Sequence, residues 1–172
     1  MRHAAFVLMC LALPAGVASA QNVIDPPPGY TKTVNLSGPR FGMTALSTGV
    51  VDELRKRSID VGSNITQFGW QFERRFYTNG DGVTLLHEWV PLISGLDQGV
   101  ALPSFNWLVG LRTRSGTEFG LGPNITPLGV GLVAAAGITV RSGGLHVPFN
   151  FAIATSKTGA RVSILTGFNL RR

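Results

Sequence analysis

The clearest pattern in this chain is an alternation of apolar and polar residues over positions 66–76, in which only Arg74 breaks the apolar row. Phe68, Trp70 and Phe72 fall on one side of the alternation, and polar residues or glycine fill the positions between them. Successive residues of a β-strand point to opposite faces, so the segment predicts a strand with one aromatic and one polar face. The alternation returns downstream, and its polar positions hold mainly Glu, Arg, Asn and Gln. This arrangement is typical of a barrel with a lipid-facing outer wall and a polar interior.

Turn-forming residues divide the chain into short segments of similar length. Hairpin signals occur at residues 79–82, 94–95, 115–116, 142–144 and 157–159. The intervening segments are about ten residues long, close to the length that crosses a bilayer on a tilt. We therefore predict an all-β fold, a small antiparallel up-and-down β-barrel of about eight strands. The predicted strands cover residues 40–47, 65–78, 83–93, 100–114, 117–124, 128–141, 145–155 and 160–170.

One segment departs from the strand period. Within residues 50–57 and just beyond, Val51, Leu54 and Ile59 recur at helical spacing. Acidic residues come first in the segment and basic residues last, which is the order that a helix dipole favours. The pattern predicts one short surface helix in the first long loop of the barrel.

The start of the chain predicts export from the cytoplasm. Residues 1–20 have a basic start, an apolar run and a small-residue cleavage site before Gln21, as secretory signal peptides do. Residues 21–33 are rich in proline and predict an extended leader, so the β-barrel domain is expected to cover residues 34–172. Cys10 is the only cysteine and lies in the segment expected to be removed, so the mature protein would contain no disulfide.

The charge composition narrows the class of partner. The formal net charge is +6 and the pI about 10.5, yet charged residues make up only 14% of the chain. Proteins that bind nucleic acid usually gather Lys and Arg on one face or helix, whereas the basic residues here are scattered. We expect no nucleic acid partner, and we expect some of the arginines to contact acidic lipid head groups.

The two faces of the predicted strands can be assigned residue by residue. The apolar positions, which should face outward, are Phe68, Trp70, Phe72, Leu85, Trp89, Phe105, Trp107, Val109, Leu111, Phe119, Leu121, Val130, Leu132, Ile138, Val140, Val147, Phe149, Phe151, Ile153, Val162, Ile164 and Phe168. The opposite face mixes polar residues with glycine, and a small barrel has no lumen to spare, so its acids and arginines should pair inside it. The predicted interior charge network consists of Glu73, Arg75, Glu88, Arg112, Glu118, Arg141 and Arg161.

A soluble barrel or sandwich would show the same alternation with the apolar face turned inward. Trp70, Phe72, Phe105 and Trp107 would then line a pocket for a small apolar ligand. The polar face contains almost no lysine and the apolar face holds many aromatic residues, and both features favour lipid over water.

Prolines inside the predicted strands count against a membrane barrel. Each one removes a hydrogen bond from the strand ladder, and lipid cannot replace that bond. These prolines predict bulges, strand ends or a partly open wall. They are Pro91, Pro103, Pro123 and Pro148.

Five stretches carry a resemblance to known sequences: residues 38–43 (GPRFGM), 66–73 (TQFGWQFE), 110–113 (GLRT), 118–124 (EFGLGPN) and 154–170 (ATSKTGARVSILTGFNL). They resemble a group of uncharacterised exported proteins of Gram-negative bacteria that are described as outer-membrane or β-barrel-like. The resemblance implies an outer-membrane location and a barrel fold, and it implies no activity or ligand.

Groups that could support catalysis or bind a metal are few. His87 and His146 have no partner at metal-ligand spacing, and we expect both to be ordinary strand residues. An enzymatic barrel would need a serine and a histidine near one rim, oriented by an acid or amide. His146 has Asn150 nearby but no serine close by on the same face. We expect no catalytic, cofactor-binding or metal-binding residues, and therefore no enzyme.

These inferences predict an outer-membrane protein with a structural or interaction role and an interior plugged by the Glu and Arg network. With both termini in the periplasm, loop 50–62 would be the only outward loop large enough to recognise a protein or lipid partner. We expect removal of residues 52–57 to leave folding largely intact. The alternative is a soluble periplasmic β-barrel that binds a small apolar ligand. The sequence does not predict an oligomeric state.

Overall fold

Eight long strands form the wall of the protein. The computed structural model describes residues 36–142 and 145–170, and its strands are β1 Gly38–Leu46, β2 Asn64–Thr78, β3 Thr84–Ser94, β4 Leu102–Arg112, β5 Thr117–Thr126, β6 Gly129–Ser142, β7 Leu145–Ser156 and β8 Gly159–Gly167. Each strand pairs antiparallel with the next, and β8 pairs with β1, so the sheet closes on itself. A two-residue strand, β9 Asn169–Leu170, adds to the start of β7. The predicted all-β, eight-stranded up-and-down barrel is confirmed, while the predicted signal peptide and leader lie outside the described residues.

The hairpin between β2 and β3 shows why the predicted turns form where they do. The Asn79 side-chain oxygen accepts hydrogen bonds from the backbone N–H groups of Asp81 at 3.1 Å and Val83 at 2.8 Å. Gly82 has a φ of 81°, a left-handed conformation that glycine adopts without a steric penalty. The local chemistry of the turn residues therefore sets the position of this reversal.

The prolines do not open the wall. Opposite Pro91 the pairing between β2 and β3 is interrupted and then resumes in the same register, and the same happens opposite Pro123 between β4 and β5. In the β2–β3 ladder the register shifts between Arg75 and Tyr77, away from both prolines. Pro91 and Pro123 interrupt the pairing only locally, and Pro103 lies at a strand end, as the second residue of β4. Because the ring is closed, the alternative of a partly open wall is wrong.

The predicted surface helix is confirmed as α1, Thr48–Lys56, and it has one exposed charged face and one buried apolar face. Val50 and Leu54 are only 1% and 2% exposed. They pack with residues from several parts of the ring: Leu46 of β1, Ile65 of β2, Val100 of the loop before β4, Leu102 of β4 and Leu128 of the turn between β5 and β6. Because these residues come from well-separated positions around the ring, α1 must cross the end of the barrel. We call α1 and this apolar cluster the cap.

The cap bears on two expectations about the first loop. Leu54 belongs to the cap, so removal of residues 52–57, which we expect to leave folding largely intact, would take one buried side chain from this end of the barrel. Loop 50–62 also shares its end of the barrel with a second loop. The β3–β4 loop contains a turn of 3₁₀-helix, Leu96–Gln98, and braces it. The Gln98 side chain accepts from the Gly62 N–H at 2.7 Å and donates to the Asn64 carbonyl oxygen at 2.7 Å.

Glycine on the inner face permits close approach of neighbouring strands. Gly122 of β5 and Gly120 of the same strand both lie on the inward side. A Cβ atom at Gly122 would collide with the backbone carbonyl oxygen of Trp107, whereas a Cβ at Gly120 would lie 3.4 Å from Leu108 Cβ, an ordinary contact. Close approach between β4 and β5 thus depends on Gly122 far more than on Gly120.

We predict that Gly122→Ala lowers the free energy of unfolding by roughly 1–3 kcal/mol, because the added methyl group must push the β4 backbone away. Gly120→Ala is the matched control on the same strand and should change stability by less than the Gly122 variant. Urea unfolding in detergent micelles, followed by tryptophan fluorescence, measures both. Equal stability of the two variants would contradict the assignment.

Candidate functional site

Apolar side chains cover the outside of the barrel. Trp70, Phe105 and Phe151 are 44%, 38% and 45% exposed, and every residue assigned to the outward face from the sequence is either exposed or half-buried. Trp70, Phe72, Phe105 and Trp107 therefore do not line an interior pocket, and that form of the soluble alternative is wrong. The side chains that are buried inside include several that carry formal charge.

A buried ion cluster lies towards the end of the barrel where β1 begins and β8 ends. Arg112 of β4 donates from Nη1 to Glu73 Oε1 of β2 at 2.8 Å and from Nη2 to the other oxygen of the same carboxylate. Its Nε donates to Glu118 of β5. The Arg112–Glu73 pair is bidentate, the geometry in which guanidinium and carboxylate groups bind most strongly. The three side chains link three strands through the interior.

Arg40 of β1, which is 1% exposed, extends this cluster. Its Nε donates to Gln71 Oε1 at 3.0 Å, and Gln71 in turn donates to Glu88 of β3. Its Nη2 donates to the Leu36 carbonyl oxygen at 2.6 Å, which holds the segment before β1 inside the barrel end. We call this set the polar plug: Arg40, Gln71, Glu73, Glu88, Arg112 and Glu118.

The residues of the predicted charge network lie in different parts of the structure. It brings Glu73, Glu88, Arg112 and Glu118 together in the polar plug. Arg75 is exposed beside the register shift of β2, and the side chain of Arg141 lies outside the described part of the chain. Arg161 lies elsewhere in the interior, as described below.

Two members of the polar plug were not in the predicted network. Gln71 lies on the polar side of the alternation over residues 66–76, but its amide carries no formal charge and so does not belong to a network predicted from charged residues. Arg40 alternates with outward Phe41 and Met43 in the first strand, so its parity carried the signal that it faces inward. The alternation does not show that the Arg40 guanidinium donates hydrogen bonds to both the Gln71 side chain and the Leu36 carbonyl oxygen.

Between the polar plug and the cap the interior is partly apolar. The inward apolar residues form one cluster, Val90, Leu92, Leu108, Val133 and Leu165. Beside it, a chain of hydrogen bonds runs from Arg161 Nη2 to Asn124 at 3.0 Å, from Asn124 to Asn106 at 2.6 Å and from Asn106 to the Val90 carbonyl oxygen at 3.2 Å. These groups surround a cavity of about 60 Å³.

The two histidines lie on strands, as expected. His87 stacks on the outer face with its ring centroid 6.0 Å from that of Phe76 and 4.7 Å from that of Trp89. His146 of β7 is buried and 3% exposed. In the part of the chain that the structure describes, neither belongs to a group of side chains that could hold a metal ion.

Comparison with known proteins gives no relative: no protein family, curated protein or solved structure matches the chain. The geometry alone defines the class of protein, which is a closed antiparallel barrel of eight strands with an apolar exterior and a buried network of Arg and Glu side chains. The barrel fold implied by the resemblance to exported Gram-negative proteins is shown, and no family is identified. Within residues 36–142 and 145–170, no helix is long and apolar enough to span a membrane.

We predict that Arg112→Met lowers the free energy of unfolding by about 3–5 kcal/mol, because it leaves the Glu73 and Glu118 carboxylates buried without their cation. Arg55→Met is the control. Arg55 forms a surface ion pair with Asp52 at 3.2 Å, both side chains are 61% exposed, and the loss should stay within about 1 kcal/mol. Urea titration of both variants measures the difference. Wild-type stability of the Arg112 variant would show that the ion cluster does not hold the strands together.

Proposed function

We propose that this protein is an outer-membrane β-barrel with a structural or interaction role. The observation that carries the proposal is the apolar exterior of the closed ring, since large exposed hydrophobic residues occur on all eight strands. Soluble monomers rarely expose a contiguous apolar patch of more than a few hundred Å². A closed ring also leaves no unpaired strand edge for lipid to meet, which is the condition for a sheet to cross a bilayer. The predicted signal peptide supports export.

The closed interior argues for a role other than passive transport. Leu36 and the polar plug fill one end of the barrel, and the cap covers the other. In the plug, Arg112 bonds to Glu73 and Glu118, and Gln71 links Arg40 to Glu88, so these groups cross the interior and obstruct it. The proposal includes the absence of catalysis, in keeping with the absence of a serine close to His146 on the same face of its strand.

The outer face of α1 is the surface proposed for interaction. It carries charged side chains held in place by ion pairs of 3.2 Å between Arg55 and Asp52, 3.6 Å between Lys56 and Glu53, and 3.2 Å between Arg57 and Glu53. Arg57 also donates to the Pro127 carbonyl oxygen at 2.9 Å, which ties the helix to the opposite turn. An ordered, charged face at the barrel end away from the polar plug suits recognition of a protein or of lipid head groups.

The three tryptophans of the chain provide a direct test of the lipid contact, because Trp70, Trp89 and Trp107 all lie on outward faces. We expect most of their fluorescence to be quenched in vesicles whose acyl chains are brominated, and little to be quenched by aqueous iodide. The same chain in urea with the same vesicles is the control, and it should show the reverse. Quenching by iodide alone, together with release of the protein from cells by osmotic shock, would establish the soluble periplasmic alternative.

Planar bilayers test the closed interior. We expect no stable conductance comparable to that of a general porin, because both barrel ends are filled by side chains. A general porin reconstituted under the same conditions is the positive control. Porin-like steps recorded with this protein would show that the polar plug or the cap does not obstruct the barrel.

A further inference from the structure

The cavity between the polar plug and the cap contains an uncompensated cation. In the part of the chain that the structure describes, Arg161 has no acidic side chain within ion-pair distance, and its one hydrogen bond runs from Nη2 to Asn124 Oδ1 at 3.0 Å. Its Nε is buried and has no acceptor. Arg112, by contrast, meets two carboxylates. The Arg161 side chain is half-buried, and its guanidinium meets no carboxylate and keeps a buried N–H group without an acceptor, so the site is suited to an anion from outside the chain.

Two buried acceptors face the same cavity without donors. Gln67, which is 9% exposed, lines the cavity, and its Oε1 has no hydrogen-bond partner. Asn150, on another part of the cavity lining, likewise has an Oδ1 without a hydrogen-bond partner. Most buried polar atoms in folded proteins are paired, so a ligand with a hydrogen-bond donor would complete the site. Leu165 and Val133 supply an apolar wall.

The volume limits the size of the ligand. The cavity measures about 60 Å³. A cavity of roughly 150 Å³ admits benzene, so this one is restricted to something smaller. We propose that the barrel interior binds a small aliphatic hydroxy acid, with its carboxylate on Arg161 and its hydroxyl donating to Gln67 or Asn150. This site goes beyond the proposed function and depends on the closed barrel, not on the membrane around it.

The carboxylate is the chemistry that Arg161 fits best. A guanidinium group presents planar N–H donors that match the two oxygens of a carboxylate. The hydrogen bond from Nη2 to Asn124 orients the guanidinium and leaves its other N–H groups for the ligand. Arg161 is therefore assigned to binding and Asn124 to positioning.

Glycolate is the probe, and the full folded chain in detergent micelles is the sample, refolded with the probe so that passage by the cap does not limit binding. We expect saturable binding by calorimetry and a rise in the thermal unfolding midpoint, as for any ligand that binds only the folded state. Acetate, which lacks the hydroxyl, should bind more weakly, and benzoate should not bind. A shift no greater than that given by chloride at the same ionic strength would overturn the proposal.

Substitutions separate this site from a structural role. Arg161→Gln should weaken glycolate binding by about ten- to hundredfold, as expected for loss of hydrogen bonds to a charged group. Asn124→Asp places a carboxylate beside Nη2 and should compete with the ligand to a similar extent while the barrel stays folded. This second variant decides the matter if the first does not fold. Lys157→Gln, on an exposed turn, is the control and should bind normally. Wild-type affinity in Asn124→Asp would refute the assignment.

Discussion

The pairing of β8 with β1 is the contact on which the rest of the structure depends. It runs from Arg40 opposite Gly167 to Leu46 opposite Arg161, and it turns a row of hairpins into a closed ring. Once the ring is closed, the wall has no edge strand whose backbone groups lack partners. An apolar exterior is then compatible with lipid, where an unpaired N–H or carbonyl group would be costly. Closure also confines every inward side chain to a narrow space.

The narrow interior explains how the charged and apolar side chains are arranged along the barrel. Charged groups collect in the polar plug, where Arg112 meets Glu73 and Glu118 and no side chain needs to reach water. Apolar residues follow, and the cap covers the far end. The three inward arginines of the described interior are held differently. Arg112 is paired with two carboxylates, Arg40 donates to Gln71 and to the Leu36 carbonyl oxygen, and Arg161 donates to Asn124 beside the cavity.

Much of the fold follows from short-range patterns. The two-residue period and the turn residues at 79–82 predict the strands and hairpins, because each reflects local backbone geometry. Helical spacing likewise predicts α1, but the spacing shows only that Leu54 lies on an apolar side and not which surface it covers. Arg75 illustrates a different limit. The register of β2 shifts beside Arg75, which interrupts the alternation of inward and outward positions there. The Arg75 side chain is exposed, although the alternation of the sequence places it on the inner face.

The sequence by itself therefore determined the approximate strand number and that each strand has one apolar and one polar face. The tertiary structure decided which face points outward and which side chains meet. Glu73 and Arg112 are 39 residues apart and lie on strands that are not neighbours in the sheet. Their contact arises because the curved wall brings inward side chains together across the interior. Alternation is a property of one strand, whereas this contact requires the order, register and closure of all eight.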